Sequence, residues 1–469
     1  MIDATVIDLA RAMADGVETS RGITEWYLDR IARLDRDGPG LNAVIEVNPD
    51  ALAIADALDV ERRARGPRGP LHGIPVLLKD NIETGDRMMT TAGSLALEGS
   101  VASEDSGVAR RLRAAGAVIL GKANLSEWAN FRSTHSISGW SSRGGQTRNP
   151  YALDRNPCGS SSGSAVAVSA DLCAVAVGTE TDGSIICPAQ ANGIVGIKPT
   201  MGLVSRYGNV STTYTLDTIG PMAGSVMDAA IVLGVIAGRD ERDPATWTQN
   251  EDASTDYMSS LNRDGLNGAR IGIHQGKWEA LTGAKQQAFG KLLAILKDAG
   301  ATIVDVEDVS QLISESDIDP VFFYECKSCM NAYLATLRSD LTCTSVQEII
   351  EFNQRHASQA LKYGQPMLLH VQNKTSGRLT EPEYLEALAK RERAICALDQ
   401  MFDAHQLSVL LCTQPEIVAP ITGFPSMSIP IGCHEDRIPI GAYWIARRYD
   451  ETTLLRIAFV ADKEVNSNA

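Results

Sequence analysis

Two short serine-bearing loops, joined by a run of small apolar residues, are the feature that most constrains this fold. The loops are residues 159–164 (GSSSGS) and 181–184 (TDGS). Glycine beside serine lets the backbone take a positive φ or approach a ligand closely, and successive N–H groups can form an anion-binding concavity. The connecting residues 164–178 are too apolar for a surface linker and too short, with Asp171 among them, to span a bilayer. We predict a buried helix and a short strand that hold the two loops against each other.

Composition favours a large enzyme that acts on small molecules. The chain has 469 residues, of which 44% are hydrophobic and 22% charged, so it can bury a large core. Its net charge of −15 argues against a nucleic acid partner, because phosphate binding needs clustered Lys and Arg. That charge is compatible with neutral or cationic substrates. The acidic, amphipathic first residues do not resemble a signal peptide, so we expect a cytoplasmic protein without a membrane partner.

The cysteines predict no disulfide framework. There are nine, an odd number, and several lie in apolar runs, such as Cys173, Cys187 and Cys412. This pattern is typical of reduced core thiols. Cys326 and Cys329 form a C-x-x-C within a helical-looking stretch, with no βαβ context and no second ligand pair, so we assign no metal or redox role to them.

The order of predicted elements favours one α/β unit. The N-terminal part reads as helices, and from residue 268 a β-α-β pattern leads into mainly helical residues 312–398 and then C-terminal strands. No linker divides the chain. We predict one domain over residues 1–469 with a mixed, mostly parallel sheet covered by helices on both faces. Its predicted parts are N-terminal helices (1–70), a core (71–240) and the completion of the sheet (241–469). The main predicted helices are 3–13, 20–34, 48–65, 105–115, 285–299 and 451–462.

Lys79 closes a predicted buried strand at residues 74–78. Loss of solvation lowers the pKa of such a lysine toward neutrality. A serine hydroxyl needs a base to become a nucleophile, and Ser-Lys pairs are an alternative to Ser-His-Asp. Two serines and one lysine can form a relay in which the middle hydroxyl, here Ser160, passes the proton. The middle serine must be rigid, and its crowded loop is a candidate place for a cis non-proline peptide bond.

Motifs from about residue 71 to the C-terminus resemble the amidase signature family. They include GIPVLLKDN (73–81), GKANLSEWA (121–129), RGGQTRNP (143–150) and the two serine loops. The resemblance implies that family's fold, with Ser184 as nucleophile, Ser160 as cis-serine and Lys79 as general base. It implies an oxyanion hole, which needs fixed donors where negative charge develops. The implied donors are the backbone N–H groups of Thr181, Asp182, Gly183 and Ser184.

Within the family, the chain looks most like bacterial peptide amidases, which remove the C-terminal amide nitrogen of peptides as ammonia. The implied mechanism requires no metal or organic cofactor, and the implied state is a monomer or homodimer. Candidate substrate contacts are Ser161 and, in the polar loop 128–150, Trp140, Arg143 and Gln146; a loop that packs on itself is an equal alternative. His72, near Lys79 in sequence, is interpreted as a structural imidazole.

Four alternatives stay open. Gly159-x-Ser161-x-Gly163 also fits a nucleophile elbow, but that motif needs a strand directly before it, where residues 148–158 read as a proline-containing loop. The glutamine-hydrolysing subunit of a tRNA-dependent amidotransferase usually carries arginine after the nucleophile, where this chain has Ile185 and Ile186. An amidase or esterase for small aryl or aliphatic amides, and a non-catalytic binding protein, are further alternatives. Residues 413–423 are shorter than the family's usual loop, which bears on substrate scope.

Overall fold

An eleven-stranded mixed sheet forms the centre of the protein. The computed structural model describes residues 1–249, 255–262, 264, 266–338 and 343–467. The strands are β1 (Val44–Val47), β2 (Pro75–Lys79), β3 (Val118–Ala123), β4 (Trp140–Ser141), β5 (Gly145–Gln146), β6 (Val175–Glu180), β7 (Val195–Lys198), β8 (Thr218–Ala223), β9 (Arg270–Ile273), β10 (Thr302–Asp305), β11 (Val409–Cys412), β12 (Ser426–Cys433) and β13 (Pro439–Ala446).

The order across the sheet is β1-β3-β2-β6-β8-β7-β12-β13-β11-β9-β10, and β4 pairs with β5 separately. Parallel ladders join β2 to β3 and β6, and β9 to β10 and β11; the other neighbours are antiparallel. Because β2 and β6 are parallel, their carboxyl ends meet at one edge. Lys79 and the start of the second serine loop therefore lie at the same place.

Helices surround this sheet. They are α1 (Val6–Ala14), α2 (Ser20–Arg30), α3 (Ala51–Arg65), α4 (Gly107–Ala114), α5 (Ser162–Ser169), α6 (Ile186–Ala191), α7 (Val226–Ile236), α8 (Gln275–Glu279), α9 (Gly283–Asp298), α10 (Glu315–Leu334), α11 (Val346–Arg355), α12 (Ala357–Ala360), α13 (Pro366–Lys374), α14 (Pro382–His405), α15 (Val418–Thr422) and α16 (Glu451–Ser467). None of the described helices is long and apolar enough to cross a membrane.

The two faces of the sheet are buried under different helices. Along β13, Tyr443 and Ile445 belong to the apolar cluster beneath α10, α14 and α15. Trp444 and Ala446 point to the opposite side, into the cluster formed with α7, α9 and α16. This alternation is the two-residue period of a strand buried on both faces. The predicted mixed sheet with helices on both sides is confirmed.

The structure corrects the predicted elements in two places. The second helix ends at Arg30 and continues as a wider π-helical turn, Ile31–Asp37. Strand β8 was not predicted, because Gly220 and Pro221 within it read as turn residues. Gly220 is required there: a Cβ at this position would lie 2.0 Å from the carbonyl oxygen of Ile197. The predicted helical stretch 312–398 is found as α10 to α14, and its residues 339–342 lie outside the described residues.

Candidate active site

The two serine loops are held together as predicted, by a small buried helix and a strand. Helix α5 begins directly after Ser161 and leads back to β6. Gly163 lies in its first turn, where a Cβ would come within 2.3 Å of the Ala43 carbonyl oxygen and 2.4 Å of that of Asn124. Only glycine fits this close approach. The crowding fixes the first loop against the neighbouring chain.

Ser161 connects the loops through three hydrogen bonds. Its N–H donates to the carbonyl oxygen of Ser184 at 3.1 Å. Its hydroxyl donates to the Thr179 carbonyl at 2.9 Å and accepts the Thr179 N–H at 3.2 Å. The side chain is fully buried, so these contacts occupy its polar atoms. The nucleophile-elbow alternative also lacks its strand, because residues 147–158 before the loop are irregular.

Two covalent features lie beside the serines. The Gly159–Ser160 peptide bond is cis, in the loop where sequence placed a candidate cis bond. The prediction of a reduced Cys187 is wrong, because Cys187 forms a disulfide with Cys158. The fold brings the two loops so close that the Cα atoms of these cysteines are 5.9 Å apart, a normal disulfide separation. Cys173 and Cys412 are free thiols, as predicted, and Cys326 and Cys329 are also free.

Lys79 ends β2 with its ammonium group inside the protein. The residue is 0% exposed. Its Nζ donates to Ser160 Oγ at 2.7 Å, to Thr179 Oγ1 at 2.8 Å and to the Thr179 carbonyl oxygen at 3.2 Å. Burial lowers the pKa of Lys79 to about 7, although Asp217 and Glu180 oppose that change. A substantial fraction of Lys79 is therefore uncharged near neutral pH.

Ser184 follows a loop with N–H groups that are free to bind an anion. The N–H groups of Thr181, Asp182 and Ser184 donate to no acceptor among the described residues, whereas the N–H of the fourth predicted donor, Gly183, interacts with the carboxylate of Glu180. The Ser184 hydroxyl likewise makes no hydrogen bond with them, although the residue is only 6% exposed. In this state Ser160 Oγ contacts Lys79 and not Ser184 Oγ. The structure thus brings Lys79 to Ser160 directly, and Ser184 to the same place through its backbone contact with Ser161.

Two buried carboxylates, not singled out in the sequence, shape this loop. Glu180 Oε2 accepts the N–H groups of Ile185 at 2.7 Å and Ile186 at 3.0 Å. Burial raises the pKa of Glu180, and Lys198 opposes that rise. Asp217 accepts the Thr181 hydroxyl at 2.7 Å. Glu180 could have been identified from the sequence, because it ends a buried strand and directly precedes the second loop. No sequence pattern identifies Asp217.

A cavity of about 340 Å³ lies against the second loop. Thr181 and Asp182 form one side of it, and Phe322 and Phe323 of α10 face them. Residues 413–423, the shortened segment, contribute nothing to its lining. They are instead packed into the core through α15. The cavity is therefore bounded mainly by Thr181 and Asp182 of the second loop, residues 129–136 and α10.

The structure places the other predicted substrate contacts outside this cavity. Trp140 packs edge-to-face on Tyr363 at a ring distance of 5.1 Å. Arg143 pairs with Glu46 at 2.5 Å and lies 3.6 Å from Asp80.

Gln146 donates to the carbonyl oxygens of Ser138 and Thr147, both at 2.9 Å. His72 is buried with Nε2 3.0 Å from the Leu58 carbonyl oxygen, which fits its structural interpretation. Residues 140–146 thus pack on their own loop and its neighbours, the alternative that the sequence left open, whereas residues 129–136 of the same loop line the cavity.

Comparisons with known proteins find related chains and similar structures. A family model described as Amidase matches residues 22–420. The X-ray structure of native peptide amidase from Stenotrophomonas maltophilia is 44% identical with a TM-score of 0.93, covering 99% of this chain and 97% of that one. A probable amidase of Arabidopsis thaliana is 39% identical over 98% of this chain and 90% of its own. A glutamyl-tRNA(Gln) amidotransferase subunit from Thermotoga maritima is 27% identical with a TM-score of 0.69, covering 95% of this chain and 91% of its own.

Proposed function

The chain belongs to the amidase signature family and is an amide hydrolase, and we propose that its reaction is removal of the C-terminal amide of peptides as ammonia. One observation carries the proposed chemistry. A fully buried lysine, with a pKa lowered to about 7, contacts a serine hydroxyl at 2.7 Å beside a loop with unoccupied N–H donors. These are the base, the proton carrier and the anion site that acyl transfer needs.

In the proposed mechanism, uncharged Lys79 takes the proton of Ser160 while Ser160 takes that of Ser184. The Ser184 oxygen attacks the carboxamide carbon, and the oxyanion binds the N–H groups of residues 181–184. The proton returns through Ser160 to the amide nitrogen, the C–N bond breaks and ammonia leaves. Water then attacks the acyl-serine by the same route and releases the carboxylic acid. For the first step, the hydroxyl groups of Ser160 and Ser184 must come within hydrogen-bond distance of each other.

A peptide amide is favoured over glutamine by three features. Apolar Ile185 and Ile186 follow the nucleophile, and the chain resembles a peptide amidase much more closely than an amidotransferase, with TM-scores of 0.93 and 0.69. The cavity also has room for part of a peptide and two facing aromatic side chains.

The test is ammonia release from peptide amides, glutamine, benzamide and indoleacetamide by the purified chain without any partner protein. Peptide amides should be hydrolysed with the highest kcat/KM. Ser184→Ala should abolish turnover, whereas the matched variant Ser161→Ala should retain measurable activity when folded. Ordinary activity in Ser184→Ala, with none in a folded Ser161→Ala, would contradict the mechanism. A preference for glutamine would contradict the substrate assignment alone.

A further inference from the structure

The cavity beside the second serine loop has a one-sided charge. Three carboxylates line it: Asp182 of the loop, and Glu315 and Asp319 of α10. Its lining in the described structure contains no Lys, Arg or His. The remaining lining is neutral, with three phenylalanine rings, Phe131, Phe322 and Phe323. A ligand in this space therefore meets negative charge with no protein cation to balance it.

The Asp182 side chain is exposed and lacks a protein partner. It makes no hydrogen bond and no ion pair among the described residues, and it belongs to the cavity lining two residues before Ser184. The protein atoms around it and the nearby charges of Glu180 and Glu315 raise the pKa of Asp182 to about 7. A cation entering the cavity would offset these negative charges.

One of the α10 carboxylates, Asp319, is not explained by its helix alone. Acidic residues favour the first turn of a helix, where they stabilise its dipole. In α10, Glu315 and Asp317 both lie in the first turn, and Asp317 also forms a capping box with Ser314 and pairs with Lys390 at 2.7 Å. Glu315 and Asp319 make no ion pair with the described residues, and both line the cavity instead. Asp317 does not line it.

We propose that the cavity selects cationic substrates: carboxamides that carry an ammonium or guanidinium group on the acyl side, held by Asp182, Asp319 and Glu315. This inference rests on the proposed function, because it places the carbonyl of the same substrate at the N–H groups of residues 181–184. The phenylalanine rings would contact the aliphatic part of such a side chain, and aromatic faces also attract cations.

The test measures binding rather than turnover. Peptide amides with lysine are compared with otherwise identical peptides with norleucine, which has the same chain without the charge. Lysine is placed at the residue that bears the amide or at the one before it. Dissociation constants are measured with Ser184→Ala, so that hydrolysis does not interfere. At pH 8 and low salt, one lysine peptide should bind about tenfold or more tightly than its norleucine partner, and the ratio should fall as salt rises.

The matched variants neutralise one carboxylate each on the same helix. Asp319→Asn in the Ser184→Ala background should reduce the lysine-to-norleucine ratio by about three- to tenfold. Asp317→Asn changes the net charge equally but lies outside the cavity, and should leave the ratio within about twofold. Equal affinity for both peptides, or equal effects of the two variants, would overturn the inference.

The inference and the proposed function fail in different ways. A lysine preference in binding, with no ammonia released by the unmutated enzyme, would overturn the proposed function and leave the cation selectivity standing. Ammonia release without any charge preference in binding would overturn the cation selectivity and leave the proposed function standing. Failure of every peptide amide to bind would overturn both.

Discussion

Lys79 and Lys122 are two buried lysines on neighbouring strands, and they differ in what surrounds them. Both are 0% exposed, and burial lowers the pKa of each. In the parallel ladder Lys122 pairs with Leu78, so Lys79, the next residue, points to the opposite face of the sheet. Lys79 contacts Ser160 and Thr179. Lys122 donates to the Ile82 carbonyl oxygen at 2.7 Å and to Thr90 Oγ1 at 2.8 Å.

The difference teaches that burial alone does not make a lysine a general base. Four carboxylates oppose the lowering of the Lys122 pKa, those of Asp80, Asp86, Glu46 and Glu83. The groups that accept its hydrogen bonds do not connect Lys122 to a candidate nucleophile. Those of Lys79 include a serine hydroxyl that lies next to the second loop. Lys79 can therefore act as a base because a serine hydroxyl lies beside it, whereas the role of Lys122 is structural.

The largest expected effect separates the two lysines by activity. Lys79→Met should lower kcat by about a thousandfold or more, because removal of one member of a catalytic relay disables the whole unit. Lys122→Met should retain kcat within about tenfold in the folded fraction, since it does not contact the serine loops. Ammonia release per folded molecule, at pH 8, measures both. A similar loss in the two variants would end the distinction between them.

The free energy of unfolding should distinguish the Lys79→Met and Lys122→Met variants in the opposite way. Lys122→Met leaves the nearby carboxylates without their ammonium, and should lower the free energy of unfolding by about 3 kcal/mol. Lys79 has a folded pKa near 7, below the unfolded value of about 10.4, so its burial penalty is greatest below pH 7 and disappears as pH rises to about 10.4.

Lys79→Met should therefore gain stability relative to the unmutated chain at pH 7 compared with pH 10. Urea unfolding across this range measures the change. A difference between the two proteins that stays constant with pH would contradict a lowered Lys79 pKa.

A smaller effect concerns the Cys158–Cys187 disulfide, which joins the loops of Ser160 and Ser184. Reduction by dithiothreitol breaks the S–S bond, gives two thiols and leaves the oxidised reductant. It should lower kcat by about three- to tenfold, because the two loops can then separate slightly. The free energy of unfolding should fall by about 3 kcal/mol. The Cys158→Ser, Cys187→Ser double variant should have the kcat and stability of the reduced protein, and dithiothreitol should change neither. Unchanged kcat on verified reduction would contradict this.

The smallest effect is expected at Gln146, in the loop of residues 128–150. Gln146→Ala should change KM by less than about twofold, because the amide bonds only to carbonyl oxygens of its own loop. Phe131→Ala, on the cavity wall, should raise KM by about tenfold through lost apolar contact. Steady-state ammonia release with one peptide amide compares the two. A larger change in KM for Gln146→Ala would restore this residue as a substrate contact.

The sequence predicted what depends on local pattern. Strand β2 and its terminal Lys79, helix α5 and strand β6 follow from runs of apolar and small residues, and the motif order carried the family. Long-range contacts were not predictable in the same way. The Cys158–Cys187 disulfide needs two loops 29 residues apart to meet, and odd, scattered cysteines give no pairing signal.

The substrate side was the least predictable part of the site. Trp140, Arg143 and Gln146 carry polar or aromatic groups in a long loop, yet their partners, among them Glu46 and Tyr363, lie elsewhere in the chain. The cavity is bounded instead by residues 129–136, at the start of that loop, and by α10, which lies far beyond the second serine loop in sequence. Sequence pattern identifies reactive groups that sit on regular elements, but not which distant helix covers them.

The central claim is that an uncharged Lys79 starts the reaction, and its most direct test is the pH dependence of kcat/KM on an uncharged peptide amide. A neutral substrate avoids any contribution from titration of Asp182. The unmutated enzyme and Lys122→Met should both lose activity as pH falls, with a midpoint near 7. The residual activity of Lys79→Met should lack that midpoint. The same midpoint near 7 in Lys79→Met would show that another group is the base and would contradict the claim.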